Sequence, residues 1–263
     1  MLSSSTTTRV AGRLFSSYPS IFPATEPPLI NVYSTPNSET PVSSWPVRRV
    51  YCIGRNYAAH AREMGDDPKK SKPFFFQKPA QAIVDTSSLS SPLRFPRMTS
   101  NYHYEAELVL GIGGSSSPDL SPSSAEDLIK AVGVGCDLTR RDLQNDAKEK
   151  RRPWDDSKGV EDSAPVGGLY LAGEGKEREW WWNPRAELKL IHGDSVKQKA
   201  LVQSMVWSPG EIVATIAKFH DLHAGDIIFT GTPEGVGKVE RGERVRVTLD
   251  AEGGELECEF VCE

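Results

Sequence analysis

Residues 101–112 read NYHYEAELVLGI, and residues 131–137 read AVGVGCD. The first stretch alternates and then turns continuously apolar, the pattern of a strand whose far end is buried on both faces. Gly113-Gly114 closes it. The second is a short run of small apolar residues that ends on an acid. It predicts a buried strand with Asp137 at its mouth, where glycines permit close backbone approach.

Outward from this pair, strands are predicted at 47–53, 74–76, 186–191, 227–230 and 244–249. Helices are predicted at 58–64, stopped by Gly65, at 125–131, and at 137–150, ahead of Pro153. A further helix at 211–219 places Ile212, Ile216 and Phe219 on one stripe. Strands outnumber helices and do not alternate with them as in a doubly wound sheet. The expected fold class is α+β, β-dominated, with a single catalytic domain over residues 47–263.

Residues 21–46 are expected to form an irregular lead-in, because 34–46 are rich in Pro and Ser. The first twenty residues contain Arg9 and Arg13, nine Ser or Thr, and no acid before Glu26. That is the composition of a mitochondrial transit peptide, and equally of an ordinary disordered leader in a cytoplasmic protein.

The chain has 263 residues, 38% of them hydrophobic, and a formal net charge of -5. It is long enough to bury a substantial core. Its weak acidity provides no general electrostatic attraction to nucleic acid or an anionic membrane. No apolar run approaches the roughly 20 residues that span a bilayer. Cys52, Cys136, Cys258 and Cys262 form no CxxC pair, which argues against a disulfide scaffold or thiolate zinc site. Trp180-Trp181-Trp182 is assigned to packing or an interface.

Glu105 and Glu107 lie two apart, so on a strand both carboxylates share a face. Beside Leu108-Val109-Leu110, paired like charges are costly unless a cation neutralises them, and hard Mg²⁺ or Ca²⁺ prefers carboxylate oxygens. A solvated strand face is the alternative. Asp137 offers a third carboxylate, or an N-cap for the following helix. His60 and Glu63, three apart on a helix, suit a water-activating imidazole oriented by a carboxylate, or an exposed surface pair. Lys78, between three phenylalanines and Pro79, and Lys158 are cations able to hold a substrate carboxylate or an oxyanion. Residues 229–238 (FTGTPEGVGK) fail the phosphate-loop pattern. They read better as a tight turn aiming backbone N–H groups and the Thr232 hydroxyl at an anion.

The segments YCIGRNYAAHAREMG (51–65), PFFFQKP (73–79), NYHYEAELVL (101–110), GCDLTRRDLQ (135–144), SKGVEDSAPVG (157–167) and FTGTPEGVG (229–237) resemble, in this order, the fumarylacetoacetate hydrolase superfamily. The stretch from Tyr51 to Lys78 is most similar to its fumarylpyruvate hydrolase and acylpyruvase branch. The resemblance implies a mixed β-sandwich roll, a homodimer, and Mg²⁺ or Mn²⁺ held by Glu105, Glu107 and Asp137. It implies that His60 and Glu63 activate water, and that Lys158 lies near the substrate carbonyl. Arg141, Gln144 and Thr232 fall at pocket positions, with Arg55 and Lys78 in matching segments. Relatives commonly have Lys-Gly/Ala-Phe-Asp where this chain has Lys158-Gly159-Val160-Glu161, a departure that bears on substrate choice.

The implied reaction is metal-dependent hydrolysis of a 2,4-diketo acid to pyruvate and a carboxylic acid. Oxaloacetate decarboxylation or keto-acid tautomerisation would use the same site. A non-catalytic acid-binding protein is the alternative of another class, and the presence of His60, Glu63 and all three carboxylates argues against it.

Overall fold

A computed structural model describes residues 26–65 and 73–263, so the leader expected over 1–20 lies outside the described residues. The chain begins with β1 (Leu29–Tyr33), β2 (Ser43–Pro46), β3 (Val50–Gly54), α1 (Ala58–Glu63), β4 (Phe74–Lys78) and β5 (Ile83–Asp85). Next come β6 (Tyr102–Tyr104), β7 (Ala106–Ile112), α2 (Pro122–Glu126), β8 (Ile129–Cys136), β9 (Thr139–Arg140), α3 (Arg141–Glu149) and α4 (Asp155–Lys158). The remainder is β10 (Ala164–Val166), β11 (Leu169–Leu171), β12 (Glu187–His192), β13 (Ser195–Leu201), α5 (Pro209–Ala217), β14 (Asp226–Phe229), β15 (Gly237–Lys238), β16 (Arg244–Ala251) and β17 (Gly254–Val261).

A ten-stranded mixed sheet runs β2-β1-β11-β8-β7-β14-β3-β4, with β10 joining β8 to β5 beside this path. The pairs β1–β11, β3–β14 and β5–β10 are parallel. A four-stranded antiparallel sheet, β13-β12-β16-β17, and a small sheet, β15-β6-β9, complete the β-dominated α+β fold that the sequence pattern predicts.

At the centre β7 pairs with β8, placing Glu107 opposite Gly135 and Ala106 opposite Cys136. The strand alternation sends Leu108, Leu110 and Ile112 into the larger core, shared with α5 and the four-stranded sheet. Val109 enters a smaller core on the other face with Val50, Cys52 and Phe229. Glu107 shares the face of Val109, so its carboxylate starts from a dry environment. A Cβ at Gly135 would come within 2.7 Å of the Pro165 carbonyl oxygen; glycine lets β10 close against β8.

Several expectations need correction. The lead-in of 21–46 contains β1 and β2, paired with each other and, through β1, with β11. Ile30 and Val32 of β1 are buried, and their short alternation is hidden by Pro- and Ser-rich flanks. The strand expected across 102–112 is two strands in different sheets, broken at Glu105. The helix expected at 125–131 ends at Glu126: Ser121 caps it, Pro122 starts it, and Ile129 to Ala131 pair with β7 instead. The helix expected from Asp137 begins at Arg141, so Asp137 is not its N-cap. Phe219 lies beyond α5 and is exposed, its ring edge-on to Phe75. Trp181 is buried and its indole N–H donates to the Ala172 carbonyl, a packing role. All four cysteines are buried free thiols.

Candidate active site

Glu105 at the break between β6 and β7, Glu107 on β7 and Asp137 after β8 converge. One carboxylate oxygen of each lies within 4.8 Å of the others, and all three residues are buried. The Asp137 N–H donates to the Glu105 carbonyl at 2.8 Å, which locks the two strand ends together. Glu107 accepts one hydrogen bond, from the Gly231 N–H at 2.6 Å, and forms no ion pair among the described residues. Burial, reinforced by Asp137 and Glu105, pushes its carboxyl well above the usual carboxylate range. Such a buried cluster of hard oxygen donors fits a divalent cation, which would relieve the charge that Glu107 bears.

Three cations, Lys158, Arg141 and Lys78, surround the other two acids. The Lys158 Nζ donates to Glu105 Oε2 at 2.7 Å and Asp137 Oδ2 at 2.6 Å, and stands 5.0 Å from the Phe76 ring centroid. Burial would depress this ammonium, but Asp137 and Glu105 outweigh it and hold it above the ordinary lysine value. Arg141 donates to Glu105 Oε1 and Gln144 Oε1. Despite burial, Lys158 and Arg141 hold Glu105 well below the usual carboxylate range. His103 supports this arginine: its Nε2 meets Asn101 Oδ1 at 2.8 Å, leaving Nδ1 to face Arg141 Nε at 3.4 Å. Burial and Arg141 push His103 down to about 4, so the ring is neutral near pH 7.

His60 on α1 is buried at the cavity wall, and its Nδ1 meets Glu63 Oε2 at 3.0 Å. An ionised Glu63 makes Nδ1 the protonated nitrogen and leaves the Nε2 lone pair open to accept a proton. Glu63 also accepts from the Gly235 N–H at 3.2 Å, tying α1 to the Gly-Thr-Pro loop. In that loop Gly231 adopts φ +99, and a Cβ there would lie 2.7 Å from Asn56 Cβ. Glycine is therefore required for its N–H to reach Glu107.

Residues 49–261 match the family model described as fumarylacetoacetate (FAA) hydrolase, C-terminal. The chain belongs to the fumarylacetoacetate hydrolase family. The crystal structure of fumarylpyruvate hydrolase from Pseudomonas aeruginosa, in complex with Mn²⁺ and pyruvate, superimposes with a TM-score of 0.80 at 42% identity. It covers 93% of this chain and all of that one. Fumarylpyruvate hydrolase of Ralstonia sp is 36% identical over 185 residues, 68% of this chain and 88% of the relative. The mitochondrial oxaloacetate tautomerase of Schizosaccharomyces pombe is 37% identical over 204 residues, 76% of this chain and 88% of the relative.

One cavity is lined by Arg55, His60, Glu105, Glu107, Asp137, Arg141, Gln144, Lys158 and Thr232. Two residues singled out from the sequence stand behind that wall. Glu63 reaches the cavity through His60. Lys78, expected as a substrate contact, does not line the cavity. Its Nζ is sealed 2.9 Å from Asp137 Oδ1 and donates among the carbonyls of Leu138, Lys158 and Ser163 and the Ser163 hydroxyl. Three residues of the cavity region are new to the family reading of this chain. Gln198 accepts the Ala106 N–H and donates to Thr232 Oγ1, both within 2.9 Å, bracing the loop against β7. Trp154 and Lys148 line the cavity itself. Lys148 follows Arg141 and Gln144 at i+7 and i+4, a stripe visible in the sequence from spacing alone. No sequence signal marks Gln198.

Among the described residues no helix is long and apolar enough to cross a membrane.

Proposed function

We propose that the protein hydrolyses the carbon–carbon bond of a 2,4-diketo acid, an acylpyruvate of the fumarylpyruvate kind, to pyruvate and a carboxylic acid. The observation that carries this reading is the juxtaposition of an oriented His60–Glu63 pair with the three-carboxylate cluster in one cavity. A decarboxylase needs the cluster but no attacking water. A hydrolase needs both.

Glu105, Glu107 and Asp137 would hold Mg²⁺ or Mn²⁺, which when bound polarises the α-keto acid and stabilises negative charge on its oxygens. His60 Nε2 takes a proton from water, with Glu63 stabilising the imidazolium that forms. Hydroxide adds to the distal carbonyl carbon. The bond between that carbon and the methylene breaks, its electron pair passing to the pyruvate enolate, whose carbon takes the proton that His60 removed from water. The Lys158 ammonium stays charged beside the reacting oxygens and opposes the build-up of negative charge. Arg141 and Gln144 fix the substrate end nearest Glu105, and Thr232 presents a hydroxyl held in place by Gln198.

Conversion of oxaloacetate is the second reading, favoured by the similarity to the S. pombe tautomerase. Comparing kcat/KM for fumarylpyruvate, acetylpyruvate and oxaloacetate with Mg²⁺ or Mn²⁺ decides between them. An acylpyruvate should exceed oxaloacetate by at least about tenfold, which is only about 1.4 kcal/mol of transition-state preference. A faster turnover of oxaloacetate would reverse the order of the two readings.

A homodimer in the mitochondrion belongs with this proposal. The dimer rests on the family resemblance, and the location on the Arg- and Ser-rich first twenty residues and the mitochondrial S. pombe relative. A monomer in sedimentation at micromolar concentration would remove the first. Failure of residues 1–25 to carry a reporter into mitochondria would remove the second.

A further inference from the structure

β13 is an edge of the four-stranded sheet, and most of its residues are exposed. Gln198 is the exception, buried opposite Leu190 on the face that enters the larger core. The pairing with β12 slips at this point. Leu190 opposes Gln198 but Ile191 opposes Val196, which leaves Lys197 as a bulge. Bulges beside active sites re-aim a neighbouring side chain. The Gly-Thr-Pro loop lies directly on this one: Gly235 has a φ of +90, and a Cβ there would come within 2.2 Å of the Lys197 carbonyl oxygen. Bulge and glycine together bring Gln198 against the loop.

An amide in an apolar core must satisfy both of its ends. Gln198 Oε1 accepts from the Ala106 N–H at 2.9 Å. Its Nε2 donates to the Pro233 carbonyl and to Thr232 Oγ1, both at 2.8 Å. Two of these partners are backbone groups with fixed roles, since an N–H only donates and a carbonyl only accepts. They leave one orientation for the amide, with its nitrogen towards Thr232. Thr232 Oγ1 therefore receives a hydrogen from Gln198 and must point its own elsewhere. The residue is buried and lines the cavity, and among the described residues its hydroxyl hydrogen has no acceptor. Leaving that hydrogen unpaired is costly, and the cavity is where a ligand can accept it.

We infer that Gln198 is a positioning residue that turns the Thr232 hydroxyl into a donor aimed at a negatively charged oxygen of the ligand. This assignment rests on the keto-acid reading of the cavity and adds to it the polarity of one contact. A threonine hydroxyl free to rotate can either donate or accept. Here the amide selects donation before the ligand arrives, so less is lost in ordering it. Ala106 lies between Glu105 and Glu107, so the same amide ties this donor to the carboxylate cluster.

Calorimetric titration of oxalate into the Mn²⁺-loaded protein tests the assignment whichever keto acid is converted. T232V should weaken oxalate about 10–100-fold, the worth of a hydrogen bond to a charged group, whereas T232S should retain native affinity. Q198E keeps the shape and the Ala106 contact, but its ionised carboxylate only accepts and draws the Thr232 hydrogen out of the cavity. Relative to the native protein at each pH, its oxalate affinity should fall as pH rises and the introduced carboxyl ionises. In the T232V background most of that loss should disappear. If Q198E does not fold, Q198L replaces it, with a loss of about 3–10-fold that vanishes in T232V. A loss of equal size with and without the Thr232 hydroxyl would show a mere brace and overturn the assignment. Native affinity in T232V would overturn it alone, leaving the keto-acid reading in place. A native protein that fails to bind oxalate would overturn that reading and the assignment with it.

Discussion

Lys78 Nζ lies 2.9 Å from Asp137 Oδ1, and neither side chain is open to solvent. A lysine ammonium has only three hydrogens, yet this one is surrounded by three carbonyl oxygens, a hydroxyl and a carboxylate. It cross-links the segment after β8 to that around α4, and so fixes Asp137 and Lys158 together.

Loss of this ammonium should therefore be felt first as instability. Removing one partner of a buried pair is typically worth about 3–5 kcal/mol, because the other charge and the carbonyls are left dry and unpaired. Lys78→Met should lower stability by that order in denaturant unfolding and weaken metal binding in parallel. Had Lys78 been a substrate contact, the variant would keep its stability and show only a raised KM.

Glu107 is expected to behave in the opposite way. Its carboxyl is buried beside Asp137 and Glu105, so its charge opposes folding of the metal-free protein. Glu107→Gln should leave metal-free stability unchanged or raised, yet bind Mn²⁺ at least about tenfold more weakly. A native enzyme given metal at 100 times its Kd gains about 2.7 kcal/mol of stability, and at the same metal concentration that increment should fall to about 1.4 kcal/mol or less in the variant. Calorimetric titration with Mn²⁺ and melting with and without chelator measure both quantities. A variant that melts well below the native metal-free protein would contradict this account of Glu107.

How much of this was legible in the sequence depends on distance along the chain. Glu105, Glu107 and Asp137 could be grouped because strand alternation and a strand end are local patterns. The His60–Glu63 pair follows from one helical turn. Lys78 drew notice by its flanks, but its partners come from residues 138, 158 and 163, which no local pattern connects to it. β1 was missed because five residues of alternation between prolines give too short a signal. Gln198 is the single buried residue of β13, a strand that otherwise reads as a solvated Lys-rich edge. Lys148 differs: at i+4 from Gln144 and i+7 from Arg141 it shares their face wherever the helix starts, so its place is legible from spacing alone.

His60 separates the two candidate reactions. Hydrolysis needs a water made nucleophilic, and general-base help to such a step is typically worth about 10²–10⁴-fold. Decarboxylation of oxaloacetate needs an electron sink but no attacking water. His60→Ala should therefore lower acylpyruvate hydrolysis by orders of magnitude and oxaloacetate decarboxylation much less. Glu63 complicates the comparison, since it also holds the Gly235 N–H and with it the Thr232 loop. If the loop loosened, both reactions would decline through lost positioning and not lost base catalysis. Binding of oxalate, an analogue of the pyruvate enolate, distinguishes these causes because it needs the positioned cluster but no base. Native oxalate affinity together with suppressed hydrolysis identifies His60 as the base. Native affinity together with native hydrolysis excludes it and returns the oxaloacetate reading to first place.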